Sequence, residues 1–151
     1  IVYDEATSAL DVSVQKNIVE LLVKLQEEKN IAYGFICHDM ALVQPLSHQV
    51  AVMYLGNIME VLPGEKVASG CLHPYTRAMI DAVFDLHMDF DRPIESIDSE
   101  APSPLDLPAG CPFQNRCPRC MEICRREKPA LRQIGEGHQI ACHLYGQRGE
   151  Q

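Results

Sequence analysis

The chain has 151 residues, enough for one modest domain, with 46% hydrophobic and 23% charged residues and a formal net charge of -8 at pH 7. That balance excludes a chain disordered throughout, and the negative charge argues against nonspecific attraction to nucleic acid or anionic lipid. No apolar run approaches the ~20 residues of a membrane-spanning helix, and the opening Ile1-Val2-Tyr3 reads as the middle of a strand, not as a signal peptide, so a piece of a longer protein is expected.

Ile1–Tyr3 is an apolar stub that suits the end of a buried strand, with Asp4-Glu5 at its tip. Residues 11–29 predict an amphipathic helix: Val14, Ile18, Leu21, Leu22 and Leu25 recur at helical spacing, and Asp11 suits its N-cap. Residues 31–36, with Tyr33 and Phe35, predict a short strand buried on both faces, and His38-Asp39 follows it. Residues 40–44 predict a helical turn that Pro45 ends.

Residues 49–55 and 57–62 are strand-like, and Gly56-Asn57 suits a tight hairpin turn between them. His73-Pro74 opens a second helix with Tyr75, Ala78, Met79, Ala82 and Val83 as its apolar stripe. His73 is expected to help start that helix and not to be catalytic. Near Asp85 the composition shifts. Residues 85–110 carry Pro93, Pro102, Pro104, Pro108 and several acids, which predicts an extended linker. A cysteine-rich segment follows at 111–145, and residues 146–151 form a tail expected to fray.

A carboxylate at the tip of a rigid strand can hold magnesium, a hard ion that takes oxygen ligands. A second carboxylate beside it can orient and polarise a water for in-line attack on a phosphate. The dipeptide alone is weak, because an acidic turn is usually just solvated. The longer string Asp4-Glu5-Ala6-Thr7-Ser8-Ala9-Leu10-Asp11 closely resembles the joined Walker B and D-loop of ABC ATPases. In that resemblance Asp4 supports magnesium and Glu5 is the catalytic base. Ser8, Ala9, Leu10 and Asp11 line the interface with a partner ATPase domain. A helix and a strand later, Ile36-Cys37-His38-Asp39 resembles the family's H-loop, which implies that His38 contacts the γ-phosphate and helps hold the attacking water.

The segments at 50–56 and 71–78, including His73-Pro74-Tyr75-Thr76, look like the peptide-importer branch of the family, so the resemblance covers essentially the whole chain. Cys37 stands where a smaller residue is usual, Pro45 where a helix normally continues, and His48-Gln49 where an Asp-Arg pair is common. None of these departures touches the proposed catalytic groups.

These 151 residues contain no Gly-x-x-x-x-Gly-Lys-Ser/Thr loop to cradle phosphates, and neither the family's Q-loop nor its Leu-Ser-Gly-Gly-Gln signature. By themselves they are expected neither to bind ATP tightly nor to hydrolyse it. In the family, another strand lies between those placed at 31–36 and 49–55. Without it a gap of roughly 10 Å is expected, closed non-natively or left as an instability.

Of the seven cysteines, Cys37 and Cys71 stand alone, and Cys111, Cys117, Cys120, Cys124 and Cys142 crowd into the last segment. In a reducing compartment that clustering favours metal over disulfides. Five residues separate Cys111 from Cys117, six separate Cys117 from Cys124, and seventeen separate Cys124 from Cys142. Thiolates suit iron–sulfur clusters or zinc, and with few large apolar residues nearby a metal would supply stability that a small core cannot. The segment resembles the cysteine-bearing tail of peptide-importer ATPases, which implies a [4Fe–4S] cluster on Cys111, Cys117, Cys124 and Cys142. Zinc is the alternative metal, and a set that uses Cys120 is the alternative ligand choice. Arg116, Arg119, Arg125, Arg126 and Lys128 would offset thiolate charge; without interleaved aromatics they make a poor nucleic-acid surface.

The resemblance therefore implies an α/β fold, a partial P-loop NTPase core of the RecA-like kind at 1–84 that lacks its N-terminal half, followed by a small irregular cysteine-rich tail. It implies an ATPase subunit that energises uptake of oligopeptides or dipeptides from the cytoplasmic face of the membrane. Its partners would be a second ATPase subunit, two permease subunits and, indirectly, an extracytoplasmic peptide-binding protein. A nickel or other small-solute importer, a nontransport ABC ATPase, and an independent metal-binding module are the alternatives.

Overall fold

The computed structural model describes residues 1–6, 10–38, 46–82 and 107–145. They divide into two compact units, Ile1–Ser47 and His48–Gln151. The expected helical turn at 40–44, most of the linker at 85–110 and the tail at 146–151 lie outside the described residues.

The first unit holds β1 (Val2–Asp4), α1 (Val12–Lys29) and β2 (Gly34–Ile36). The two strands are parallel, with Val2 opposite Gly34, Tyr3 opposite Phe35 and Asp4 opposite Ile36. A parallel pair needs a crossover connection, which α1 supplies. Tyr3 stacks on Phe35 at 4.7 Å and meets Tyr33 edge-on at 5.5 Å, so one side of the pair is an aromatic surface. Asp11 takes the N-cap position in an extended conformation but makes no side-chain cap bond. At the other end Asn30 adopts the left-handed conformation, φ 52°, and its N–H donates to the Gln26 carbonyl.

Two sequence expectations need correction here. Of the predicted apolar face of α1, Val14 and Leu21 are exposed, Leu21 by 55%, while Gln15, Val19 and Leu22 are buried. A full apolar face is wider than the stripe that the described neighbours cover. The strand predicted at 31–36 is only three residues long and is not buried on both faces: Gly34 and Ile36 are exposed, Ile36 by 56%, and Phe35 is half-buried.

The second unit begins with a hairpin of β3 (Gln49–Tyr54) and β4 (Asn57–Pro63). Its turn residues are Leu55 and Gly56, not Gly56 and Asn57. Both have positive φ, 46° and 73°. That pair defines a type I′ turn, whose twist matches the strands it joins. Gly56 adopts this region freely. Leu55 carries the strain of a side chain there, and Asn57 Nδ2 donates to the Leu55 carbonyl at 2.7 Å. A 3-10 turn at Gly64–Lys66 leads into α2 (Val67–Gly70), and α3 (Pro74–Asp81) follows with Pro74 in its first turn. Ala82 is exposed, and Val83 lies outside the described residues.

The cysteine segment is less irregular than its sequence suggests. It contains α4 (Glu122–Arg126) and a hairpin of β5 (Arg132–Gly135) and β6 (His138–Ile140). β6 pairs with β4, so one sheet of order β3-β4-β6-β5 joins residues 49–63 to residues 132–140. Leu62, Met59, Phe113, Ile140 and Val67 fill the core beside this sheet. Tyr54, Tyr75 and Phe113 form a mutually packed triad with ring centroids 4.7, 5.4 and 5.3 Å apart. Each such pair contributes about 0.5–1.5 kcal/mol beyond the burial of its surface.

Candidate functional site

The parallel register of β1 and β2 puts their C-terminal tips side by side. Glu5 is one residue past β1 and His38 two residues past β2. Glu5 N–H donates to the Ile36 carbonyl at 2.9 Å, which extends the ladder one step beyond the strand. Glu5 is in the left-handed region, φ 47°. Such strain in a non-glycine residue concentrates at functional sites. His38 Nδ1 lies 3.3 Å from Glu5 Oε1, and both side chains are exposed. Asp4 is exposed at the strand end, opposite Ile36.

The structure thus brings Asp4, Glu5 and His38 to one edge, outside the carboxyl ends of parallel strands, where open α/β sheets place their ligand sites. The oxygen donors of Asp4 and Glu5, exposed and adjacent, suit a hard divalent cation. Leu10 is half-buried and Asp11 exposed, ahead of α1. Ser8 and Ala9 lie outside the described residues.

In the second unit, Cys111 N–H donates to the Cys124 carbonyl at 2.7 Å. Both cysteines sit in the aromatic core cluster, with Cys117 and Cys120 packed against it. Gly110 makes that approach fit. A Cβ there would lie 2.1 Å from the Cys124 carbonyl oxygen, so the backbones can meet only at glycine.

Burial pushes the Cys111 and Cys142 thiols up to about 11, and it also raises Cys117 and Cys120. Cys111 feels Cys124, Cys142 and Cys117; Cys117 feels Cys124; Cys142 feels Cys117 and Cys124. Cys120 interacts with Cys117 and Cys124 as well, and hydrogen-bonds with the Cys124 side chain, so these interactions do not choose between ligand sets with and without it. Among the described residues, no three His, Cys, Asp or Glu side chains are grouped to hold a single metal ion.

Sequence reasoning missed a third group. Glu60 is fully buried. Its carboxylate accepts from Leu72 N–H at 2.8 Å and from His73 N–H at 3.2 Å. His138 Nε2 lies 2.8 Å from Glu60 Oε1. His73 Nδ1 in turn accepts from Tyr75 N–H at 3.0 Å and so caps α3. As an acceptor His73 must be neutral at Nδ1, and burial lowers its pKa to about 4 against a smaller opposing pull from Glu60. Tyr145 donates its hydroxyl to the Leu72 carbonyl at 3.2 Å. The His73-Pro74-Tyr75-Thr76 element is thus a buried junction that ties the hairpin to the cysteine segment. The one sequence signal for it was an acid inside the apolar run Ile58-Met59-Glu60-Val61-Leu62.

Residues 59–124 match the family described as the oligopeptide/dipeptide transporter, C-terminal region. The chain is 48% identical over 145 residues to a putative peptide import ATP-binding protein of Brucella abortus, covering 96% of this chain and 42% of that protein. It is 42% identical over 147 residues to a putative oligopeptide transport ATP-binding protein of Bacillus subtilis, covering 96% of this chain and 45% of that protein. It is 45% identical over 143 residues to a di/tripeptide transport ATP-binding protein of Pseudomonas aeruginosa, covering 95% and 44% respectively. The chain therefore spans less than half the length of these curated relatives.

Proposed function

Because the chain belongs to the oligopeptide/dipeptide transporter family, we propose that it is the C-terminal part of an ATP-hydrolysing importer subunit that works at the cytoplasmic face of the membrane with a second such subunit and two permease subunits. The observation that carries this reading is the 3.3 Å approach of His38 to Glu5 at the tips of two parallel strands.

In this reading Glu5 takes a proton from, and orients, the water that attacks the terminal phosphate. His38 fixes the Glu5 carboxylate and reaches toward the same phosphate. Asp4 holds magnesium, which when bound neutralises phosphate charge. Ser8, Ala9, Leu10 and Asp11 face the partner subunit. Residues 1–151 contain no phosphate-binding loop, so they do not turn over ATP by themselves, and the chemistry belongs to the longer protein. Peptides are the proposed substrates, in keeping with the names of the relatives.

The experiment is ATP hydrolysis and dipeptide uptake by the full-length subunit assembled with its permeases in vesicles. Loss of the proton-transfer group costs about 10²–10⁴-fold in rate, so Glu5→Gln and His38→Ala should each abolish uptake while nucleotide binding persists. Hydrolysis unchanged in both variants would refute the assignment. Uptake of nickel but not of dipeptides would redirect the substrate.

Cys111, Cys117, Cys124 and Cys142 are proposed to hold a [4Fe–4S] cluster in a structural role. What supports the reading is the chemistry of the donors, soft thiolates gathered in one segment around a contact between the Cys111 and Cys124 backbones, and zinc remains the alternative metal. Thiols raised by burial bind metal only by releasing protons, so loading should weaken as pH falls.

A further inference from the structure

Cys120 is not needed by the four-thiol set, yet its place is specific. Residues 117–120 read Cys-Pro-Arg-Cys. Cys120 N–H donates to the Cys117 carbonyl at 3.2 Å, which closes a turn with Pro118 and Arg119 at its centre. A turn closed this way keeps its first and fourth Cα atoms within about 7 Å. Disulfides need Cα atoms about 4.4–6.8 Å apart, so the turn brings the two cysteines into the range where one can form. Pro118 fixes φ at the second position and reduces the entropy lost on closure.

The side chains agree. Both cysteines pack on the same core cluster and are half-buried, within reach of a small reagent. The Cys120 thiol makes a weak contact, 3.6 Å, to the carbonyl of its neighbour Met121, and it also hydrogen-bonds with the Cys124 side chain. Cys111 and Cys124 are held differently. They are buried, and their backbones are tied to each other.

We propose that Cys117 and Cys120 form a reversible disulfide when the four-cysteine site is empty, which removes Cys117 from the ligand set and blocks loading until the bond is reduced. The oxidant is a small disulfide of the glutathione class. The Cys120 thiolate attacks one of its sulfurs, forms a mixed disulfide and releases one small thiolate. The Cys117 thiolate then attacks the Cys120 sulfur, forms the internal bond and releases the second small thiolate. Two protein thiols lose two electrons and two protons, and one small disulfide becomes two small thiols. The bond itself stands without the metal reading. The block on loading rests on it.

The test uses the full 151-residue chain, freed of metal and incubated with oxidised glutathione. Peptide mapping should find a Cys117–Cys120 link, with the chain lighter by two hydrogen atoms. Iron–sulfur reconstitution of that material should fall at least several-fold and return after reduction with dithiothreitol. Cys120→Ser should form no link, and its reconstitution should not respond to the same oxidant. A link that joins other cysteines, or no link at all, overturns the proposal. So does equal oxidant sensitivity in Cys120→Ser. If the reduced wild-type chain takes up no metal while the link still maps to Cys117 and Cys120, the four-cysteine reading has failed and the disulfide has not.

Discussion

The two units place their polar groups in opposite ways. In the first, Glu5 and His38 meet at exposed strand tips that the parallel ladder aligns. In the second, Glu60 is sealed from water and its oxygens are occupied by two backbone N–H groups and a histidine. A carboxylate that must reach water and phosphate has to stay accessible, and the sheet can fix its position without burying it. A buried carboxylate contributes nothing to chemistry in solution, but it makes everything that touches it interdependent. Changes in the second unit should therefore act on stability, and changes at the strand tips on chemistry.

The largest effect expected is at Glu60. Glu60→Ala leaves two buried N–H donors and the His138 ring without their partner, and each buried polar group left unsatisfied costs about 1–3 kcal/mol. Urea unfolding of the chain, followed through the tyrosines, should show that loss. Glu60→Gln keeps the shape and part of the bonding and should lose about 1–3 kcal/mol. Equal, small losses for both would mean that the junction does not join the hairpin to the cysteine segment.

His73 gives the next effect, and it depends on pH. Its folded pKa of about 4 lies below the ordinary 6.5 because burial disfavours the charged ring. Between those values the unfolded chain takes up a proton that the folded chain refuses, so stability is retained above pH 6.5 and lost as pH falls toward 4. At 1.36 kcal/mol per unit the full loss is about 3 kcal/mol. His73→Asn keeps a capping side chain that cannot titrate and should flatten the slope in that window.

Gly110 follows. Alanine there drives a Cβ into the Cys124 carbonyl, and overpacking of this kind costs about 1–3 kcal/mol. Because the same contact sets the spacing of Cys111 and Cys124, Gly110→Ala should lower metal loading more than its stability loss alone explains. Comparing reconstitution at equal folded fraction would show it.

The sequence was most informative where adjacency follows from local order. The acid pair, the intervening helix and His38 were readable because a βαβ unit converts chain order into spatial adjacency. The helix at His73-Pro74 was readable from its cap. Glu60 was not, because its partners are 12, 13 and 78 residues away and an acid in a strand usually points to water. The β5–β6 hairpin was not either. Its strands have four and three residues, too short for alternation to register, and every residue of β5 is exposed. The importance of Gly110 lies in a close approach to a backbone that no local pattern announces.

The smallest effect is expected on the exposed side of α1. Val14 and Leu21 belong to an apolar helical face by sequence, yet Leu21 is 55% exposed. A truncated side chain that already sits in water gives up little burial, so Leu21→Ser should change stability by less than about 0.5 kcal/mol in this chain. The buried Leu22, one position away, provides the control. Leu22→Ala removes a packed side chain and should cost about 2–5 kcal/mol. If Leu21→Ser proves as damaging as Leu22→Ala, the whole apolar face is covered within this chain and the first unit resembles the second more than its exposure indicates. If the cost at Leu21 is negligible here but large in the full-length subunit, the outer stripe of α1 is covered by residues of the longer protein.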